Sequence, residues 1–340
     1  MPATIKQVAE RAGVSPATVS KYLNGIKLKE KNKNAVQAAI AELGYKSNAM
    51  ARGLRTNKSM TIGAVVYDFN NLFAMNIISE IESYISAHGY GVIICESKMD
   101  VDTQNNKIKF LLDKHVDGLI IFPVRLTDSD MEHIAVPVVC IDQLSKTRLC
   151  DYVLVENASA SFAATEHLIK HGHDKIGIIC GPNDLYTAKE RVLGYLKAHK
   201  NYCVNVCDDY IYRTDYSIES GYSAANKIIK NKNRPTALFT TNYELTLGAL
   251  IALNEYGISI PDDMSFIGFD NIELANAVRP SLSVVTQPTA EMGIKAAEIL
   301  LHKMAGVEDK CSIIKLPLQF INQQSVKNFC TRVLLKSQKT

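Results

Sequence analysis

From Ile62 onward the chain alternates short unbroken apolar runs with amphipathic stretches, and few folds accommodate that pattern. Ile62-Gly-Ala-Val-Val-Tyr, Gly91-Val-Ile-Ile-Cys, Gly118-Leu-Ile-Ile-Phe and 136–141 read as strands buried on both faces. Helices are expected between them over 76–88 and 104–114. A second series follows: helix 161–171, strand 175–180, helix 187–199, a short strand near Val204 and helix 218–229. Strand 237–240, helix 245–256, strand 265–269 and helix 289–304 close it. Strands that alternate with helices pair in parallel and are covered by helices on both sides. Two such series predict two lobes, one from about 61–158 plus 290–320, the other from about 161–288 plus the last strand.

The first 24 residues obey a different rule. Ile5, Val8, Ala9 and Ala12 share one helical face, and Gly13 stops that helix. Ser15 is a good N-cap, Pro16 suits the first turn of a second helix, and Val19, Tyr22 and Leu23 continue an apolar face. Two helices joined by a glycine-containing turn form a helix-turn-helix, whose second helix enters the major groove of DNA. An amphipathic hairpin with no partner would share this periodicity. The small and polar outer face (Ala17, Thr18, Ser20, Lys21) and the local charge favour DNA. Residues 1–60 hold 11 Lys and Arg against 3 Glu, a net of +8, while the remaining 27 basic and 32 acidic residues leave the body at −5. A basic head on an acidic body meets the requirements of phosphate-backbone binding.

At this point the run from Thr4 to Asn24, T-I-x-x-V-A-x-x-A-G-V-S-x-x-T-V-S-x-x-L-N, resembles the DNA-binding motif of the LacI/GalR transcriptional regulators. The segment from Glu42 to Arg55 is similar to that family's third-helix end and hinge helix. Glu156-Asn157, Glu166-His167-Leu168 and Gly172-His173-Asp174-Lys175-Ile176 resemble its D-N…H-L…G-H run. The likeness covers nearly the whole chain. It implies an α/β fold: an N-terminal all-α helix-turn-helix headpiece and a two-lobed, periplasmic-binding-protein-like core of parallel sheets. The expected domains are 1–46 for the headpiece, 47–58 for the hinge, 59–330 for the effector-binding and dimerisation core, and 331–340 for the tail.

Ligands of open α/β sheets sit beyond the carboxyl ends of the strands. Phe73, Gln143, Thr187, Arg191, Tyr216, Asn242 and Asp270 are the pocket candidates on that rule, with Asn71 and Leu72 beside Phe73. The resemblance gives Arg191, in an R-x-x-G run, and Asp270 the roles of effector contacts. A planar donor fork and acceptor oxygens suit the vicinal hydroxyls of a sugar or the edge of a purine. An interlobe ion pair with no ligand is the alternative for these two charges. Glu156, Ala160 and Gln323 depart from the usual Asp, Gly and Arg, and Tyr243 replaces a common acidic residue, so the pocket is expected to be built differently around Tyr243. With no tryptophan, stacking falls to Phe73, Tyr216 or a neighbour.

On the DNA side, Ala17 and Lys21 are expected at base edges, Pro16 at an apolar contact such as a thymine methyl, and Thr18, Ser20 and Asn24 at phosphates. Thr4 and Ser15 belong to the same surface. Lys21 stands where the family usually has a bidentate arginine, so weaker discrimination is expected there. The resemblance makes Asn48–Arg55 a hinge helix that folds on DNA, with Leu54 as a minor-groove wedge and Asn48, Arg52 and Arg55 beside it. Ordinary interdomain packing is the other reading of Leu54. Paired hinge helices imply a homodimer on a pseudo-palindromic operator.

The eight cysteines are scattered, several within strand-like runs, and read as reduced side chains of a cytoplasmic protein without a signal peptide. His199, Cys203 and Cys207 are four residues apart, but residues 203–207 alternate like a strand, which argues against a metal site. No G-x-S-x-G, G-x-G-x-x-G or phosphate-loop motif occurs, and no run of 18 apolar residues. The expectation is a regulator, most simply a repressor, that needs no cofactor or membrane and answers to a small molecule. The small molecule is expected to be sugar-like or a nucleobase.

Overall fold

The computed structural model describes residues 3–23, 26–45, 58–270, 272–307 and 310–329. The chain divides into two compact units, 1–60 and 61–340.

In the first unit, α1 (Ile5–Ala12) opens with a capping box in which Thr4 Oγ1 accepts from the Gln7 N–H while Gln7 Oε1 accepts from the Thr4 N–H at 2.8 Å. Gly13, at φ 64°, lets the chain reverse, and the Val14 N–H returns to the Ala9 carbonyl at 3.0 Å. α2 (Pro16–Leu23) follows, with Ser15 Oγ accepting from the Thr18 N–H at 3.2 Å. α3 (Glu30–Leu43) completes a small core of Val8, Ala9, Val19, Val36 and Ala39. Val14 packs against that core.

The second unit holds two six-stranded sheets. The elements of the first lobe are β1 (Thr61–Val66), α4 (Leu72–Ser86), β2 (Gly91–Glu96), α5 (Val101–Asp113), β3 (Gly118–Ile121), α6 (Asp128–Met131), β4 (Val138–Ile141) and β5 (Asp151–Val155). The second lobe continues with α7 (Asn157–Lys170), β6 (Ile176–Cys180), α8 (Tyr186–Asn201), β7 (Ile211–Arg213), α9 (Ile218–Lys230), β8 (Ala237–Thr240), α10 (Tyr243–Glu255), β9 (Ser265–Phe269), α11 (Ile272–Ala277) and β10 (Ser283–Thr286). The chain then returns through α12 (Thr289–Met304) and β11 (Ile313–Leu316) to the first lobe, and β12 (Gln319–Ile321) ends in the second.

The sheet orders are β11-β5-β4-β3-β1-β2 and β12-β10-β9-β8-β6-β7, parallel throughout except for the β10–β12 pair. The strands between the sheet edges are buried almost end to end, which is why they read as continuous apolar runs. α4 and α12 close one face of the first sheet over Ile62, Ile77, Ile81, Met292 and Leu300; α7 and α8 do the same for the second over Leu168, Ile176, Val192 and Tyr195.

Two expectations are corrected. The segment 203–207 forms no strand; the edge strand is Ile211–Arg213, after a 3-10 turn at Asp208–Tyr210. Alternating polarity there reflects a loop whose Cys203 is exposed and whose Val206 is 37% accessible. The first-lobe return also ends sooner than residue 320, because Gln319 already pairs with Thr286 in the second sheet.

Candidate functional site

A cavity of about 450 Å³ lies at the carboxyl ends of strands from both sheets. The turn after β1 supplies Tyr67, Asp68, Asn70 and Asn71, and the first turn of α4 supplies Phe73; the segment after β2 supplies Met99, and the end of β4 supplies Asp142 and Gln143. The second lobe adds Thr187 and Arg191 on α8, Asp215 and Tyr216 after β7, Asn242, Tyr243 and Glu244 at the start of α10, Asp270 after β9 and Gln287 after β10. All seven pocket candidates (Phe73, Gln143, Thr187, Arg191, Tyr216, Asn242, Asp270) line this cavity, with Asn71. Leu72 instead borders a smaller neighbouring cavity.

Arg191 is 4% exposed and held on three sides. Its Nε donates to Asn157 Oδ1 at 2.7 Å, its Nη1 donates to the Thr241 carbonyl, and its guanidinium lies 4.0 Å from the centre of the Phe269 ring. Arg191 and Asp270 both belong to the second lobe, so they do not form an ion pair between lobes. Asn157, one residue into α7, is therefore an orienting side chain that fixes the fork.

Two sets of hydrogen bonds cross the cleft. Gln143 Nε2 donates to Thr187 Oγ1 at 2.8 Å, and the Thr187 N–H donates to Gln143 Oε1 at 3.3 Å. The other centres on Glu244. Asn71 is the N-cap of α4 and Asn242 the N-cap of α10, and each uses its side-chain oxygen to accept a helix N–H. Their remaining amide groups both donate to Glu244: Asn71 Nδ2 to Oε1 at 3.1 Å and Asn242 Nδ2 to Oε2.

The walls are acidic. Burial pushes the Glu244 carboxyl up to about 7 and that of Asp270 up to about 6, with Gln287 Nε2 donating to Asp270 Oδ1 at 2.8 Å. Asp142 is raised by burial as well, although Arg191 and bonds from Tyr67 and Gln143 to its Oδ2 oppose the shift. Its Oδ1 is buried and accepts no hydrogen bond. Backbone strain concentrates here: Met99, Asp142, Tyr216 and Asp270 have φ of 55°, 72°, 69° and 61°. Non-glycine residues hold this conformation only where the surroundings impose it, commonly at ligand sites.

These carboxylates give a pH dependence with a definite sign. The folded chain retains protons on Glu244 and Asp270 that the unfolded chain releases, so their contribution to stability declines as pH rises through about 7. His167 and His173, lowered to about 4 by burial, act oppositely but only below their ordinary value of 6.5. Asp68 and Asp270 face Glu244 and raise it further. The melting temperature of Glu244→Gln relative to the parent chain is expected to rise from pH 5 to 7.5, as the parent alone loses the contribution of the Glu244 proton. An unchanged slope in the variant would show that the proton sits elsewhere.

Sequence reasoning missed Tyr67, Asp142, Glu244, Asp215 and Gln287. Asp142 directly precedes Gln143 at a strand end, and Glu244 follows Tyr243, so the strand-end rule was sufficient for both. Gln287 follows β10, a strand that the apolar runs do not reveal.

In the headpiece, Ser15, Pro16, Ala17 and Lys21 are exposed, and Thr18 and Ser20 are partly buried. The Thr18 hydroxyl lies 2.9 Å from that of Ser15, and Thr4 is engaged in its capping box, so these three shape the helix starts. Asn24, Asn48, Arg52, Leu54 and Arg55 lie outside the described residues, as do nearly all of the 47–58 hinge and the whole 331–340 tail. Among the described residues no three His, Cys, Asp or Glu side chains are placed to hold a metal, and no helix is long and apolar enough to cross a membrane.

A helix-turn-helix joined to a two-lobed binding body defines a class, the ligand-responsive DNA-binding regulators. Residues 4–48 match the bacterial regulatory proteins of the lacI family, and residues 165–326 match the periplasmic binding protein-like domain. The HTH-type transcriptional repressor PurR of Vibrio atlanticus (strain LGP32) is 34% identical over 330 residues, covering 96% of this chain and 99% of the relative. PurR of Pectobacterium atrosepticum is likewise 34% identical, over 95% and 97%. The lac repressor dimer bound to operator and the anti-inducer ONPF superposes with a TM-score of 0.85 at 26% identity, over 96% of this chain and 100% of that one. The chain belongs to the LacI family of bacterial regulatory proteins and is a DNA-binding transcriptional regulator.

Proposed function

We propose that this regulator is a repressor that binds a pseudo-palindromic operator as a homodimer, and that a sugar-like or nucleobase effector in the interlobe cavity sets its operator affinity. The observation that carries this reading is the cavity's construction from both lobes, with Gln143–Thr187 and Asn71–Glu244 bonded across it. A ligand there makes different contacts in different lobe arrangements, and only such differential affinity shifts a conformational equilibrium. The headpiece supplies the output. Lys21 and Ala17 are exposed on the second helix for base edges, and Leu54, with Asn48, Arg52 and Arg55, is proposed as the hinge wedge.

The test is a thermal-shift panel of sugars, sugar phosphates and nucleobases, followed by operator binding with and without each hit. A hit that alters operator affinity supports the reading. Hits that bind without altering it would reduce the cavity to a stabilising site. For the DNA arm, Leu54→Ala is expected to weaken operator binding and abolish most bending while leaving ligand binding intact. Unchanged bending in a gel phasing assay rules out the wedge.

A further inference from the structure

We infer that the cavity selects a hydroxylated ligand bearing a protonated amine, of the amino-sugar type, over neutral sugars and over phosphorylated or carboxylated ones. This deepens the effector reading above and rests on it. The first ground is the inventory of charge on the walls. Asp68, Asp142, Asp215, Glu244 and Asp270 line the cavity, and Arg191 is the only cation among its described lining residues. Arg191 restrains Asp142 and Asp270, but it is one charge against five carboxyls, and its Nε and Nη1 are committed to Asn157 and Thr241.

The second ground is an acceptor with no donor. Asp142 lines the cavity and is 6% exposed, and its Oδ1 is buried without a hydrogen-bond partner among the described residues. Leaving a buried carboxylate oxygen unpaired is costly, and a charged donor offsets that cost better than a neutral hydroxyl does. Glu244, by contrast, is already oriented by two amides from opposite lobes. Its carboxyl is held in place, and once deprotonated it presents a negative charge to which an ammonium can add without displacing either bond. Neutral sugars can satisfy single acceptors, but they bring no positive charge to a cluster whose members repel one another. A phosphate or carboxylate would add to that repulsion.

Proton linkage gives an independent signature. Glu244 is faced by Asp68 and Asn71 from the first lobe and by Asn242 and Asp270 from the second. Asp142, Asp215 and Arg191 complete the charged wall. Near neutral pH the free protein holds part of a proton on this cluster, and an incoming ammonium expels it. Affinity for an amine should therefore rise from pH 6 to 7.5, whereas a neutral ligand shows no such rise.

The experiment is isothermal titration of the full chain at pH 6.0 and 7.5, in buffers of differing ionisation enthalpy. The probes are D-glucosamine, D-galactosamine, their N-acetyl derivatives, the parent hexoses and glucose 6-phosphate. At least one amine is expected to bind ten-fold or more tightly than its N-acetyl and parent counterparts at pH 7.5, with proton release. Glu244→Gln and, separately, Asp142→Asn should each shrink that ratio several-fold, a comparison made within one variant and so independent of its overall stability. Neutral probes binding as tightly as the amines, no amine binding at millimolar concentration, or ratios unchanged in both variants would each overturn the inference. Operator binding measured alongside separates the two claims. A neutral sugar that shifts operator affinity preserves the regulator reading and defeats this one; an amine that binds without shifting it does the reverse.

Discussion

Replacing Arg191 by alanine is expected to abolish the ligand response while leaving operator binding by the headpiece intact. The guanidinium is buried, stacked on Phe269 and committed to Asn157 and the Thr241 carbonyl, so its position is fixed before any ligand arrives. A hydrogen bond from a charged donor contributes about 1.5–3 kcal/mol, or roughly ten- to more than hundred-fold in affinity. The substitution also removes the one positive charge that restrains Asp142 and Asp270, so both carboxyls should move further up. Lysine should not rescue the loss, because it lacks the planar fork that meets Asn157 and Thr241 together. Ligand titration and operator anisotropy on the same preparation check the prediction; a variant that still responds to ligand would remove Arg191 from the site.

The second large effect is on stability. Gly194, three residues beyond Arg191, lies where α8 crosses α7, and a Cβ there would come within 2.2 Å of the Ala158 carbonyl oxygen and 2.8 Å of the Phe162 nitrogen. Both are backbone atoms, so the helices themselves must separate. Alanine would gain about 1 kcal/mol of helix propensity over glycine at an open site. Against that, overpacking a tight contact costs typically 1–3 kcal/mol. Gly194→Ala is therefore expected to lower the melting temperature by several degrees, and Gly194→Val by more. A melting temperature raised by alanine would mean that the two helices can part freely. The arginine and the glycine of this R-x-x-G run thus perform separate tasks: one reaches the cavity, the other lets its helix sit close enough to reach.

The body of the fold was legible because its strands are buried on both faces. Runs such as Gly118–Ile121 and Ile176–Cys180 leave no alternative to parallel pairing. What the sequence concealed has physical reasons as well. β10 is four residues with a serine at each side of its start, and β5 begins with Asp151, whose Oδ1 accepts from Ser312. β10 thus offers only Val284 and Val285 as apolar residues, whereas Tyr152–Val155 of β5 is an apolar run open to the same reading as the other strands. At the site, the strand-end rule found the residues that project from regular positions. It could not show that Asn71 and Asn242 spend their oxygens on helix caps, or that Glu244 collects what is left of both. Those are facts of three-dimensional meeting between residues 173 positions apart.

That meeting has a consequence for the sign of regulation. The protein's own amides already tie the two halves of the body together through one carboxylate. A visitor that reaches past Glu244 to the first lobe adds a further tie and draws the halves together. One that merely takes the place of the Asn71 amide leaves the Gln143–Thr187 pair as the remaining side-chain tie described across the cleft. The same chain can therefore be driven in opposite directions by two molecules of similar size, and exchanging a single atom on the visitor could be enough to turn one kind into the other.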